Sequence, residues 1–147
     1  MAEPRERADV VFFARIGAID RLANQRLERA LPDGLSAAGL AVLSQLALGG
    51  EPPTPQRLAA ALQLSKPAMT HTLQRLAGAG LVAIAADLAD RRRKRVALTP
   101  AGAAALRTAA ARVRPRLDEV RAAFGAAQFE AALPFLEHLS AWLISHP

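Results

Sequence analysis

A chain of 147 residues with 52% apolar side chains has enough material for one domain with its own core, and two separate domains are not expected. Its formal charge of +6 points to a polyanionic partner, nucleic acid or an anionic membrane surface, and is silent about the fold. The lack of cysteine excludes a disulfide framework, thiolate zinc sites and thiol redox sensing; no run approaches the ~18 unbroken apolar residues of a membrane span, and the charges from Met1 to Asp9 lack the apolar stretch of a secretory signal, so a cytoplasmic location is expected.

Val10, Phe13, Ile16, Ile19, Leu22 and Leu27 recur at helical spacing, so residues 8–31 read as an amphipathic helix stopped by Pro32 and Gly34. Ser36 then stands as N-cap of a second helix that carries Leu40, Leu43 and Leu46 inward and breaks at Gly49, Gly50, Pro52 and Pro53. Thr54-Pro55 opens a short third helix with Leu58 and Leu62 inside, because proline at the first helical position gives up only an N–H that would be orphaned. After a turn at Gln63-Leu64, Ser65 caps a fourth helix over residues 65–77, with Met69, Leu73 and Leu76 as its buried stripe and an end at Gly78 or Gly80.

Leu81 to Ile84 and Arg95 to Leu98 read as two short strands joined by a hairpin over Asp87 to Arg93. Thr99-Pro100 repeats the cap-and-proline start and opens an Ala-rich helix to about Phe124, broken by Gly125. The last helix carries Phe129, Leu133, Leu136, Leu139, Trp142 and Leu143, and Pro134 is expected to kink or split it near Ala132. The predicted fold is therefore mostly α with a small β-hairpin wing: a winged helix-turn-helix over residues 36–99, flanked by helices at 8–31 and 101–145.

Two short helices joined by a tight turn, the second polar on its outer face, form the arrangement in which the second helix enters the major groove of duplex DNA. That outer face presents Lys66, Pro67, Thr70, His71, Gln74 and Arg75, side chains suited to base edges and phosphates. The hairpin tip and return strand read Asp90-Arg91-Arg92-Arg93-Lys94-Arg95, and residues 65–95 carry seven Lys or Arg against two Asp, most of the excess charge of the chain. Such a tip suits the phosphate ridge or the minor groove. Arg91, Arg92 and Arg93 are the candidate contacts, and Lys94 and Arg95 belong to the returning strand.

Leu58-Ala-Ala-Ala-Leu-Gln-Leu-Ser-Lys-Pro-Ala-Met-Thr, Leu76-Ala-Gly-Ala-Gly-Leu-Val, Asp90-Arg-Arg and Val96-Ala-Leu-Thr-Pro-Ala-Gly together resemble the multiple-antibiotic-resistance regulator (MarR) family of bacterial transcription factors. The resemblance spans roughly residues 8–145 and implies one MarR-like domain over 1–147. It also implies that Asp90 braces the wing, that Arg92 is the wing arginine on DNA, and that Ser65, Lys66, Pro67, Thr70 and His71 fall on contact positions. Leu88 departs from the pattern where a proline is frequent, as do Ala83 and Ile84 where a basic residue often follows.

Phe12, Phe13 and Ile16 near one end, and Phe135, Leu139, Trp142 and Ile144 near the other, exceed what a small central module can cover; burial between two copies, a homodimer, is expected. The resemblance adds interleaved termini, two recognition helices on a pseudo-palindrome with half-sites ~34 Å apart, and repression relieved by a small aromatic or phenolic ligand. Phe13, Arg15, Ile16 and Leu43 are the candidate pocket, Arg15 meeting a carboxylate. No cofactor and no metal are expected, and an enzyme is not indicated: His71, His138 and His146 lack ligand spacing, and Asp118 and Glu119 point apart on a helix. A winged-helix protein-interaction module without specific DNA binding is the rival reading; a membrane-surface role would place the basic residues on an amphipathic helix and not on a hairpin.

Overall fold

The computed structural model describes residues 7–147. Six helices and one hairpin follow in order: α1 (Ala8–Ala30), α2 (Ala37–Ala47), α3 (Pro55–Leu62), α4 (Lys66–Gly78), β1 (Val82–Ala86), β2 (Lys94–Leu98), α5 (Pro100–Phe124) and α6 (Ala126–Ser145). Contacts divide the chain inside α5 into two compact units, one ending at Ala111 and one from Arg112 to Pro147.

Four of the five helix starts in the first unit, all but that of α1, are set by side-chain caps. Ser36 Oγ accepts from Gly39 N at 3.0 Å, Thr54 Oγ1 from Arg57 N at 3.3 Å, Ser65 Oγ from Ala68 N at 3.2 Å, and Thr99 Oγ1 from Gly102 N at 3.0 Å. Each satisfies one N–H that the helix cannot, a contribution of ~1 kcal/mol. Between α2, α3, α4 and the hairpin, the side chains of Val42, Leu43, Leu58, Met69, Leu76 and Val96 are fully buried. Each removes enough apolar surface from water to stabilise the fold by about 1.5–3 kcal/mol.

On α2 the buried face is Gly39, Val42 and Leu43, while the expected Leu40 and Leu46 are only half-buried. Gly39 explains the rotation: a Cβ there would lie 3.0 Å from Leu35 and 3.3 Å from Leu76, so both leucines close on a helix surface without a side chain. Thr72 joins the expected stripe of α4, its hydroxyl donating to Ala68 O at 2.8 Å and so burying no unmet donor.

β1 and β2 pair antiparallel from Val82↔Leu98 to Ala86↔Lys94. The first strand thus runs two residues past the expected Ile84, because Ala85 and Ala86 find partners in Arg95 and Lys94, and it starts after Leu81. Leu81 belongs to a joint: its N–H donates to Leu76 O, its carbonyl accepts from Thr99 N, and Thr99 Oγ1 donates to Gly80 O at 2.6 Å. Gly102 completes the joint, since a Cβ there would meet Leu81 O at 2.0 Å. Only glycine lets α5 approach this closely.

The second unit holds the rest of α5 and α6, joined at Gly125 with φ +83. Pro134 does not split α6, which is continuous from Ala126 to Ser145, and Pro115 lies within α5 in the same way. Both prolines sit on exposed stretches, where water can take the carbonyl that loses its N–H partner. None of the residues from Arg112 to Pro147 is buried. No helix among the described residues is long and apolar enough to cross a membrane.

Candidate nucleic-acid interface

α3 ends in Gln63, whose φ of 52° and ψ of 40° are left-handed, a conformation favoured by glycine. The turn holds because Leu64 N donates to Ala59 O at 2.9 Å and Gln63 Nε2 to Ala60 O at 2.8 Å. α4 then starts at once on Ser65, and Met69, Thr72, Leu73 and Leu76 anchor its inner face. Lys66, Pro67, Thr70, His71, Gln74 and Arg75 are all exposed on the rest of the helix, as is the cap residue Ser65. Thr70 gives its hydroxyl hydrogen to Lys66 O at 2.9 Å, leaving its methyl and an oxygen lone pair for a partner.

The wing is organised by two aspartates with different tasks. Asp90 Oδ1 accepts from Arg92 N at 3.0 Å and from Arg92 Nε at 3.3 Å, while Arg93 N donates to Asp90 O at 2.9 Å. The tip is thereby folded back on Asp90, yet the side chains of Arg92 and Arg93 remain 91% and 68% exposed. Asp87, at the base of the loop, accepts from Ala89 N at 3.1 Å and from Arg95 Nε at 3.1 Å. The Ala89 N–H, and next to it the Arg95 guanidinium, hold the Asp87 carboxyl below the usual carboxylate range against the opposing effect of partial desolvation.

A groove of about 950 Å³ lies between the N-terminal ends of α3 and α4 and the wing. It gathers Lys66, Thr70, Arg92 and Arg93 from the expected contact set; Ser65, Pro67, His71, Gln74, Arg75 and Arg91 lie outside it, exposed on α4 or at the wing tip. Lys94 and Arg95, expected in the returning strand, line it as well, as do Gln56 and Arg57, which sequence reasoning passed over. Arg57 carried a legible signal: a cation in the first turn of a helix opposes the helix dipole, so its place there calls for a partner elsewhere. Arg57, Lys66, Arg91 and Lys94 form no ion pair among the described residues. The groove is lined by cations and by helix N-termini, which suits the phosphate backbone of a nucleic acid.

A second groove of about 470 Å³ runs between the end of α2, the Gly49–Pro53 loop, α3 and β2. Neither groove is lined by the expected ligand residues. Leu43 is fully buried in the core, whereas Phe13 and Arg15 are exposed and Ile16 half-buried on α1. Among the described residues no three His, Asp or Glu cluster as a metal site would require.

Residues 33–93, which include both helices of the motif and the wing tip, match the sequence model of the MarR family. The match does not extend over α1, α5 or α6. The transcriptional regulator MOSR of Mycobacterium tuberculosis, solved in complex with DNA, is 29% identical over 94% of this chain and 98% of its own, with a TM-score of 0.71. The transcriptional repressor CouR bound to a 23-mer DNA duplex shares the fold at 20% identity over 94% and 99% of the two chains, TM-score 0.80. CouR from Rhodococcus jostii bound to p-coumaroyl-CoA does so at 24% identity over 90% and 92%, TM-score 0.72. Among curated proteins the comparison gave no match. The observed winged helix-turn-helix is thus the one expected of a MarR-family regulator.

Proposed function

We propose that this protein is a MarR-family transcriptional repressor that binds a pseudo-palindromic duplex as a homodimer and releases it when a small aromatic or phenolic ligand binds. The observation that carries the reading is the 950 Å³ groove, lined by Lys66 and Thr70 of the recognition helix and by Arg92, Arg93 and Lys94 of the wing, where Arg57, Lys66 and Lys94 form no ion pair among the described residues. α4 would sit in the major groove with Gln74 and Arg75 toward base edges, and the wing arginines Arg91 to Arg93 on the flanking phosphates or in the minor groove. Similarity to structures solved with DNA, one of them called a repressor, supports this reading.

Exposed apolar surface supports the homodimer. α1 leaves Val10, Phe13, Ile19 and Leu22 about half or more exposed, and Leu133, Trp142, Leu143 and Ile144 of α6 do the same. Surface this apolar along two helices marks an association site. The ligand rests on the CouR complex with p-coumaroyl-CoA; any ligand acts only through a difference in affinity between DNA-competent and incompetent forms.

Fluorescence anisotropy on a mixed-sequence duplex at rising salt tests the DNA claim. Affinity is expected to fall steeply, by about 0.9 in logarithmic slope per phosphate neutralised. Binding to duplex that does not respond to salt would defeat it, and a chain that sediments as a monomer would defeat the dimer.

A further inference from the structure

We propose that Arg95 is a positioning residue that fixes the base of the wing against the α2–α3 loop, so that DNA affinity depends on it although it makes no DNA contact. The inference rests on the DNA-binding reading above. Arg95 is the last member of the basic run, and its charge alone would enrol it with Arg91, Arg92 and Arg93. The structure separates it from them. Its side chain is 24% exposed, against 91% for Arg92.

All three guanidinium nitrogens of Arg95 are engaged. Nε donates to Asp87 Oδ2 at 3.1 Å, Nη2 lies 3.0 Å from the same oxygen and 3.2 Å from Glu51 Oε1, and Nη1 donates to Pro52 O at 2.9 Å. Two carboxylates meet this one cation, so its charge is answered within the protein and no counterion of DNA is released by it. Arg95 therefore joins two places distant in sequence: the mouth of the hairpin loop at Asp87, and the adjacent Glu51 and Pro52 in the α2–α3 loop.

The place of this joint on the lever gives it its effect. A two-stranded hairpin is marginal by itself, and the buried Val82 and Val96 hold only its root. Val96 N adds a bond to Pro53 O at 2.9 Å. Arg95 supplies the outermost tether to the α2–α3 loop: beyond its pair with Ala85 the hairpin has Ala86↔Lys94 and one bond from Asp87 N to Arg93 O at 2.9 Å before a loop whose Leu88 is fully exposed. Loss of the tether leaves the arginines on a looser lever, and ordering them on DNA then costs affinity.

Binding of the full chain to a mixed-sequence duplex of about 30 base pairs, at several salt concentrations, tests the clamp in R95K, R95A and D87N. Lysine keeps the charge but cannot span three acceptors, so R95K is expected to bind about tenfold more weakly with an unchanged salt slope, as is R95A. D87N is the sharpest arm. Removing a negative charge near DNA should tighten binding on electrostatic grounds alone, whereas the clamp predicts weakening, and R95A/D87N no weaker than the worse single variant.

The chain has no cysteine, so a nitroxide on L88C reports the wing alone; its spectrum should sharpen when R95K is added to a protein that keeps its helix content. Tighter binding by D87N, a slope lower by about 0.9 per lobe in R95A, or an unchanged label in folded R95K would overturn the clamp and leave the DNA reading standing. Duplex binding by the wild type that ignores salt would overturn the DNA reading itself.

Discussion

The two units place their apolar residues in opposite ways. In the first, Val42, Leu43, Leu58, Met69, Leu76 and Val96 close on one another between short capped helices and a hairpin. In the second, Leu117, Phe124, Phe129, Leu133, Leu143 and Ile144 are exposed and nothing is buried. A reading lobe with its own core can hold a fixed face toward DNA, whereas helices without one depend on what covers them. Stability and assembly should therefore respond to different substitutions.

The largest effect is expected in the core. Leu58→Ala leaves a cavity at a 1% exposed site and should lower stability by about 2–5 kcal/mol in chemical denaturation. Leu133→Glu in α6 puts a charge on the surface assigned to the dimer and should cost ~2–4 kcal/mol of association, read as monomer in sedimentation with helix content retained. Equal behaviour of the two variants would break the comparison. Thr99→Ala removes the cap on Gly102 N and the bond to Gly80 O, and should cost ~1 kcal/mol in the midpoint of unfolding. Smallest is Gln63→Gly, expected to stabilise by ~0.5 kcal/mol by relieving the left-handed turn, the gain being partly offset by the freedom of glycine when unfolded.

Much of this was legible in the residues, for local reasons. Ser36, Thr54, Ser65 and Thr99 announce helix starts because a side-chain oxygen beside an orphan N–H is a short-range arrangement. The exposed face of α4 follows from the spacing of Met69, Leu73 and Leu76. What escaped is set by long-range packing. The rotated face of α2 depends on Gly39 meeting Leu76, and the fate of Arg95 on Asp87 and Pro52, 8 and 43 residues away. Arg57 escaped because its neighbours across the groove come from the wing. The split expected at Pro134 does not occur, because α6 is exposed around it and water can take the freed carbonyl.

The central claim is that this lobe holds duplex DNA by its wing and recognition helix, and the salt dependence of duplex affinity in wild type and Arg92→Ala tests it most directly. The wild type should show a steep logarithmic slope, and Arg92→Ala should reduce it by about 0.9 for each lobe engaged while the fold stays intact. A wild-type slope near zero, or a slope that Arg92→Ala leaves untouched, would contradict the account.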